Sequence, residues 1–356
     1  MVRIYLISNM YPTAENPAYG VFVKNFAESF QDEEFSISDS TLIKGKKSGF
    51  FLIWNYIRFA IEIFIKSNFS SFDIIYVHYI QHSCLPLHFW FRRSGKLILN
   101  AHGSDLTNEG KLYRWMRKVN RSIFLNADLM VIPSPYFIEK AISLGVHKEN
   151  IYVYPSGGIN IDLFYPNLEK DHLMFLYRIG YLGRLDKGKG IETLFLALAK
   201  LKNKDFLHLE LVGTGQEEQN LRNLAVKLGI NEMVTFVGIR KQEDLPGIFS
   251  YWDALVFPSE LPESLGLVGL EAMACGLPVI GSDNAGIKTY LENQMNGFSF
   301  APGNSDELKE KIEHFFSLKE WDLKKLRKNA VSTAAKYSRN TVNKELKNRI
   351  RRLFQS

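Results

Sequence analysis

Short apolar runs alternate along the chain with longer stretches whose apolar positions recur at helical spacing. Val2 to Ile7, Ile74 to His78, Lys96 to Asn100 and Leu129 to Pro133 read as strands, with amphipathic segments between them. A second series begins at Met174 to Leu182 and continues through Leu207 to Val212, Val234 to Val237, Ala254 to Phe257 and Val279 to Gly281. Strands alternating with helical segments predict βαβ units and a parallel sheet covered on both faces. Two such series predict an α/β chain with two doubly wound, Rossmann-like sheets.

Between the series lies Y-P-S-G-G-I-N-I-D-L-F-Y-P-N, Tyr154 to Asn167. Its paired glycines and flanking prolines can neither continue a helix nor sit in a central strand, so it is the expected hinge. The expected domains are residues 1–165, residues 166–336, and a last basic segment 337–356 in which Ser338 caps a helix from Arg339 to Leu353. That helix is expected to cross back to the first domain.

With 356 residues, 46% hydrophobic and 23% charged, the chain exceeds what one core usually holds and is far from a disordered composition. Cys84 and Cys275 lie far apart, without a Cys-x-x-Cys pair or histidines at ligand spacing, so neither a disulfide framework nor a zinc site is expected. A reducing cytoplasm fits, and the first residues read as a buried strand, not as a secretory leader. Gly49 to Ile65 is the most apolar stretch. Asn55, Arg58, Glu62 and Lys66 recur in it at intervals of three and four, a polar stripe that argues for a helix and against a membrane span. Net charge is +6, and Lys319 to Arg352 alone holds twelve basic against three acidic residues. Nucleic acid is not an expected partner.

Ligands of a doubly wound sheet bind beyond the carboxyl ends of its strands, so the turns there carry the candidate chemistry. After the first strand, a loop ends at Gly20 and passes into a helix, where backbone N–H groups can approach a phosphate; an ordinary turn is the alternative. A-H-G-S-D-L, Ala101 to Leu106, places His102 beside a carboxylate on a tight turn, where an imidazole can meet a substrate hydroxyl. The plainer reading makes Ser104 or Asp105 a helix cap and His102 a structural residue. His78 is expected to be structural.

In Y-L-G-R-L-D-K-G-K-G-I-E, Arg184 and Lys189 straddle a Gly-containing turn and suit a pyrophosphate. L-V-G-T-G-Q-E-E lacks the third glycine of a dinucleotide fingerprint and reads as a strand-to-helix turn. In P-S-E-L-P-E-S-L-G-L-V-G-L-E-A-M-A-C-G-L-P-V, Glu263 and Glu271 bracket the start of a helix. Two turns of helix would set them about 12 Å apart. Gly266, Leu267 and Val268 can offer backbone N–H groups to phosphate between them. A surface helix with two solvated acids is the alternative.

These segments, taken in order, carry a resemblance. From Tyr11 to about Thr341 the chain resembles glycosyltransferase family 4, the retaining GT-B enzymes. The marks are G-V-F-V-K-N, A-H-G-S-D, P-S-G-G-I-N-I-D-L-F-Y-P, G-R-L-D-K-G-K-G and P-E-S-L-G-L-V-G-L-E-A-M-A-C-G-L-P-V. The resemblance implies two Rossmann-like domains facing a cleft, and sugar transfer from a nucleotide-sugar donor, a UDP-sugar, to a saccharide or lipid-linked acceptor in cell-surface polysaccharide synthesis. It implies Arg184 and Lys189 on the diphosphate, Glu263 near the transferred sugar, Glu271 on the ribose, Gly20 by the phosphate, and His102 near sugar and acceptor. No Asp-x-Asp motif is present, and a metal-independent reaction without a cofactor is expected.

Asn160 and Arg339 depart from the family pattern, neither expected to touch the donor. A sugar-nucleotide epimerase or phosphorylase, and a non-catalytic GT-B partner subunit, are the competing readings. Arg114, Lys118 and Arg121 beside Trp115, with the apolar Phe50 to Ile65, offer a peripheral dock on an anionic leaflet. A buried helix with a solvated basic face explains the same residues.

Overall fold

The computed structural model describes residues 1–17, 19–46, 48–92, 94–166, 177–202 and 206–355. By its internal contacts the chain divides into two units, one formed by residues 1–157 with 342–356 and one by residues 158–341.

The first unit holds β1 (Val2–Tyr11), β2 (Phe35–Lys44), β3 (Ile74–His78), β4 (Lys96–Asn100), β5 (Leu129–Ile132) and β6 (Ile151–Val153). They form one sheet in the order β2-β1-β3-β4-β5-β6, with neighbours paired in parallel. Position in the sheet explains which strands announce themselves in the sequence. Every residue of β3 and β5 is buried, because both faces of a central parallel strand are covered. The edge strand β2 mixes buried with exposed positions and its sequence is correspondingly rich in Ser and Asp.

Alternate residues supply two cores, as the two-residue period of a strand requires. Ile4, Leu6, Ile74, Tyr76 and Ile98 face the helix Val21–Ser29 through its Val23 and Phe26. Tyr5, Ile7, Ile75, Val77 and Leu99 face Phe59 and Ile63 of the helix Gly49–Phe69. The last helix, Arg339–Arg352, completes the first of these cores with Val342, Leu346 and Ile350. Tyr154 donates a hydrogen bond to Asn343, and Lys347 pairs with Asp32 at 2.6 Å. Its N-terminus is capped as expected: the Thr341 N–H donates to Ser338 Oγ at 3.2 Å.

The second unit holds β7 (Tyr177–Leu182), β8 (Leu207–Val212), β9 (Val234–Gly238), β10 (Ala254–Phe257), β11 (Val279–Ser282) and β12 (Gly297–Phe300), in the order β12-β11-β10-β7-β8-β9. Positions 174–176 of the expected strand, and Asn167 of the expected hinge, lie outside the described residues. The strand order reverses between β7 and β10, and in the first unit between β1 and β3. At such a reversal the flanking crossovers go to opposite faces and leave a crevice at the carboxyl ends. At the start of the second unit, Ile159 bridges to Ser338. Gly157 and Gly158 precede it at φ +81° and +70°. Among the described residues, no helix is long and apolar enough to cross a membrane.

Candidate functional site

In the second unit the candidate residues gather where the strand order reverses. The turn after β7 runs through Gly188, Lys189 and Gly190 into the helix Ile191–Ala199 and lies against the segment after β10. The backbone N–H groups of Glu260 and Leu261 both donate to the Gly188 carbonyl, at 2.9 and 3.2 Å. Gly190 has φ +73°, and a Cβ there would fall 1.8 Å from the Pro258 carbonyl oxygen. Gly190→Ala is therefore expected to cost about 3 kcal/mol or more, combining left-handed strain with a backbone clash. Gly229, at φ +64° with open space around it, should cost only about 1 kcal/mol as alanine. Urea denaturation midpoints compare the two, and equal losses would contradict this close approach.

The contact brings Lys189 onto Glu263. Lys189 Nζ donates to Glu263 Oε1 at 2.7 Å, and both side chains are about one-fifth exposed, at 20% and 18%. The Ser259 hydroxyl donates to the same oxygen at 2.7 Å. The Ser282 hydroxyl in turn donates to the Ser259 carbonyl at 2.7 Å, and Glu263's own carbonyl accepts the Gly286 N–H at 3.0 Å. The carboxylate is thus fixed from β7, β10 and β11 together. Arg184 is placed differently. Its guanidinium is largely exposed and pairs with Asp186 at 2.7 Å, apart from the Lys189–Glu263 pair. Gly213 and Gly215 support that loop: a Cβ at either would strike the backbone of Gly183 or Leu185.

The two glutamates do not share a helix. The helix runs Leu267–Ala274, with Gly266 at its N-cap at φ +84°, so Glu263 lies in the preceding loop. The two-turn spacing expected between Glu263 and Glu271 does not apply, because Gly266 turns the backbone left-handed between them. Gly266, Leu267 and Val268 do stand at the helix start, where the N-cap residue, a glycine, has no side chain to cap the backbone N–H groups. The Tyr290 hydroxyl holds the Gly266 carbonyl at 2.9 Å. Glu271 is only 9% exposed, and burial pushes its carboxyl up to about 7, against the lowering effects of a Gln242 hydrogen bond and of Arg339. Gln242 Nε2 donates to Glu271 Oε1 at 3.2 Å. The Arg339 charge thus favours the ionised form of Glu271, a candidate site residue.

In the first unit, Gly20 caps the helix Val21–Ser29 at φ +76°, and a Cβ there would lie 2.6 Å from the Met10 carbonyl carbon at the end of β1. Phe22, on the first turn of that helix, stacks on His102 with ring centroids 5.8 Å apart, so the Gly20 turn and His102 are neighbours. Neither Ser104 nor Asp105 caps the short helix Ser104–Thr107; Gly103 occupies that position. Asp105 instead accepts the His102 N–H at 2.9 Å and the Ile80 N–H at 3.2 Å, tying the ends of β3 and β4 together.

His102 Nε2 and His78 Nδ1 share a hydrogen bond of 2.8 Å. Burial lowers both rings, His102 to about 3, so the pair stays neutral at neutral pH and one nitrogen of the two carries the shared proton. His78 is buried, as expected of a structural residue, but what it supports is His102. Tyr79, at φ +52°, also stacks on His102, with centroids 4.2 Å apart. Gln242 and Tyr79 carry no motif signal, and Ser259 stands inside a quoted segment without having been singled out.

Comparison with known proteins bears on family and fold. Residues 176–337 match the family described as glycosyl transferases group 1, and residues 21–162 match glycosyltransferase family 4, so that together the two span most of the chain. A D-inositol 3-phosphate glycosyltransferase of Corynebacterium jeikeium is 27% identical over 264 residues, 67% of this chain and 62% of that protein. A GDP-mannose-dependent phosphatidylinositol monomannoside mannosyltransferase of Mycobacterium tuberculosis is 31% identical over 219 residues, 57% of this chain and 56% of that one. The chain spans less than two thirds of the length of these curated relatives. Among solved structures, Anabaena HepE in complex with UDP superimposes with a TM-score of 0.76 at 21% identity, over 98% of this chain and 99% of its own. Two parallel, doubly wound sheets with that likeness are the GT-B fold. The chain belongs to glycosyltransferase family 4.

Proposed function

We propose that the chain transfers a sugar from a nucleotide-sugar donor, a UDP-sugar, to a saccharide or lipid-linked acceptor, with retention of anomeric configuration and without a metal ion. The observation that carries this reading is the Lys189–Glu263 pair beside the uncapped start of the helix Leu267–Ala274. Departure of a nucleoside diphosphate puts negative charge on phosphate and positive character on the sugar ring. An ammonium and a carboxylate 2.7 Å apart can answer those two charges where they separate, which supports a reading with the breaking bond over this pair. The helix start adds backbone donors and its dipole for the phosphates. Glu271, buried five residues into that helix, suits the ribose hydroxyls, and Arg184 supplies a forked cation once it leaves Asp186.

HepE binds UDP, and the mycobacterial relative acts on a phosphatidylinositol mannoside, which supports a UDP donor and a lipid-linked acceptor respectively. Among the described residues, no three His, Cys, Asp or Glu side chains are grouped to hold a metal ion. The counter-charge is built into Lys189, Arg184 and the helix end. Turnover of a panel of nucleotide sugars, with and without acceptors, tests the reading. Activity should persist undiminished in EDTA; loss of turnover restored by Mg²⁺ or Mn²⁺ would overturn the metal-independent form. Turnover without any acceptor dependence would replace transfer by epimerisation or hydrolysis.

A further inference from the structure

The helix Gly49–Phe69 is apolar on two faces. Phe59 and Ile63 enter the core of the first unit. The polar stripe lies along the flank: Arg58 pairs with Glu62, and Lys66 reaches Asp39 at 2.8 Å and the Ser40 carbonyl at 2.9 Å on β2. Beside Phe50, Phe51, Leu52 and Trp54 of its first turns, the helix exposes Ile53, Ile57, Ile61, Ile65 and Phe69, between 47% and 72%. Residues four apart are neighbours on the helix surface, each turned about 40° from the last, so these five form a continuous ridge about 24 Å long that winds obliquely over the outer side. Single exposed isoleucines are ordinary, but an unbroken ridge of them marks a surface that meets something apolar.

A second helix, Lys111–Val119, exposes Trp115 and Leu112 in the same unit. Its segment from Lys111 to Arg121 contains five basic residues and no acidic one. Rings connect the two helices: Tyr56 packs on His82 at 5.9 Å and His82 on Tyr113 at 5.5 Å.

We propose that this surface docks the protein peripherally on an anionic lipid bilayer, with the ridge in the acyl boundary and Lys111, Arg114, Lys118 and Arg121 against the headgroups. An apolar ridge beside clustered cations and tryptophan is the composition of an interfacial helix pair. A second copy of the chain is the poorer occupant, because it would bring a like cationic segment against this one. The proposal goes beyond sugar transfer and stands without it.

Sedimentation with phosphatidylcholine vesicles, with and without phosphatidylglycerol, tests it on the full chain. The protein should bind the anionic vesicles, with a blue shift of tryptophan emission, and release as salt is raised. The pair Arg114→Gln and Lys118→Gln should weaken binding about thirtyfold. The pair Ile57→Ser and Ile61→Ser should weaken it at least about tenfold. Thermal unfolding of both variants near the parental midpoint shows that the fold is kept. Absence of binding by the parent, or binding unchanged in both variants, overturns the proposal. So does a dimer in sedimentation velocity that Ile57→Ser with Ile61→Ser disperses, which would give the ridge to a second copy.

Discussion

Lys189→Ala is expected to lower turnover of a nucleotide sugar by a hundredfold to a thousandfold, on the order of what one charge-stabilising donor supplies to a developing anion. The ammonium is already held at the site by Glu263 and loses little freedom when the diphosphate arrives. Its effect therefore grows with the charge that appears on bond cleavage, so kcat should fall much more than KM rises. A structural consequence comes with it. Without Lys189, the Glu263 carboxylate keeps only the Ser259 hydroxyl among these partners, in a setting where it is four-fifths buried, with 18% of its side chain exposed.

Lys189→Met, which fills the space without the charge, separates the two effects from Lys189→Arg, which restores charge in a different shape. Initial rates at saturating donor, alongside thermal unfolding, decide between them. If Lys189→Met turns over donor at the parental rate, the ammonium has no part in the reaction. If every variant fails only by unfolding, the pair is a structural tie between the turns after β7 and β10.

Glu271→Gln should act in opposite directions on stability and on binding. Burial raises the Glu271 carboxyl from its usual range near 4.5 to about 7. A folded state that holds this proton more tightly than the unfolded chain loses stability as pH rises. The loss is absent below the unfolded value, grows between about 4.5 and 7, and is complete above. Removing the charge should therefore stabilise the protein above pH 7 by up to about 3 kcal/mol, with little change near pH 4.

Nucleotide binding should weaken at the same time, since the ionised carboxylate is the form that accepts from two ribose hydroxyls. In the parent, affinity for UDP should be about tenfold lower at pH 6 than at pH 8 beyond the change seen in Glu271→Gln. Taking the difference between the two proteins removes the nucleotide's own titration. Calorimetry across that range is the measurement. Parallel pH profiles would take Glu271 out of the ribose site, whereas a parental protein as stable at pH 8 as the variant would deny that its carboxylate is held against burial.

Those two predictions rest on contacts that differ in how far the amino-acid order announces them. Lys189 and Glu263 are each conspicuous in their motifs, but they lie 74 positions apart, and only the Gly188 carbonyl and the tight Gly190 turn bring them together. Gln242 has no motif and meets Glu271 only through the folded arrangement of the chain. Likewise Asp105 looked like a helix cap locally, whereas its carboxylate is spent across β3 and β4.

The same division runs through the fold. Ile74–His78, Lys96–Asn100, Leu207–Val212 and Ala254–Phe257 are readable to the residue because an inner parallel strand is covered on both faces: Ile74–His78 and Ala254–Phe257 are buried throughout, and Lys96–Asn100 and Leu207–Val212 admit polar residues only at half-buried positions or, with Asn100, at the strand end. The strands absent from that reading, β2, β6 and β12, are all edges of their sheets, where half-covered chain needs no continuous apolar run. The outward ridge of the helix Gly49–Phe69 was hidden for a related reason: its apolar residues are visible in sequence, but which of them the core consumes is not. The amino-acid order by itself determined the alternation of strand and helix, the glycine turns and the family motifs, because these depend on local backbone freedom and on burial common to every member of a layer. The tertiary structure decided which charge neutralises which, which carboxylate is buried and which apolar face is left over, because those depend on neighbours that the chain brings together only on folding.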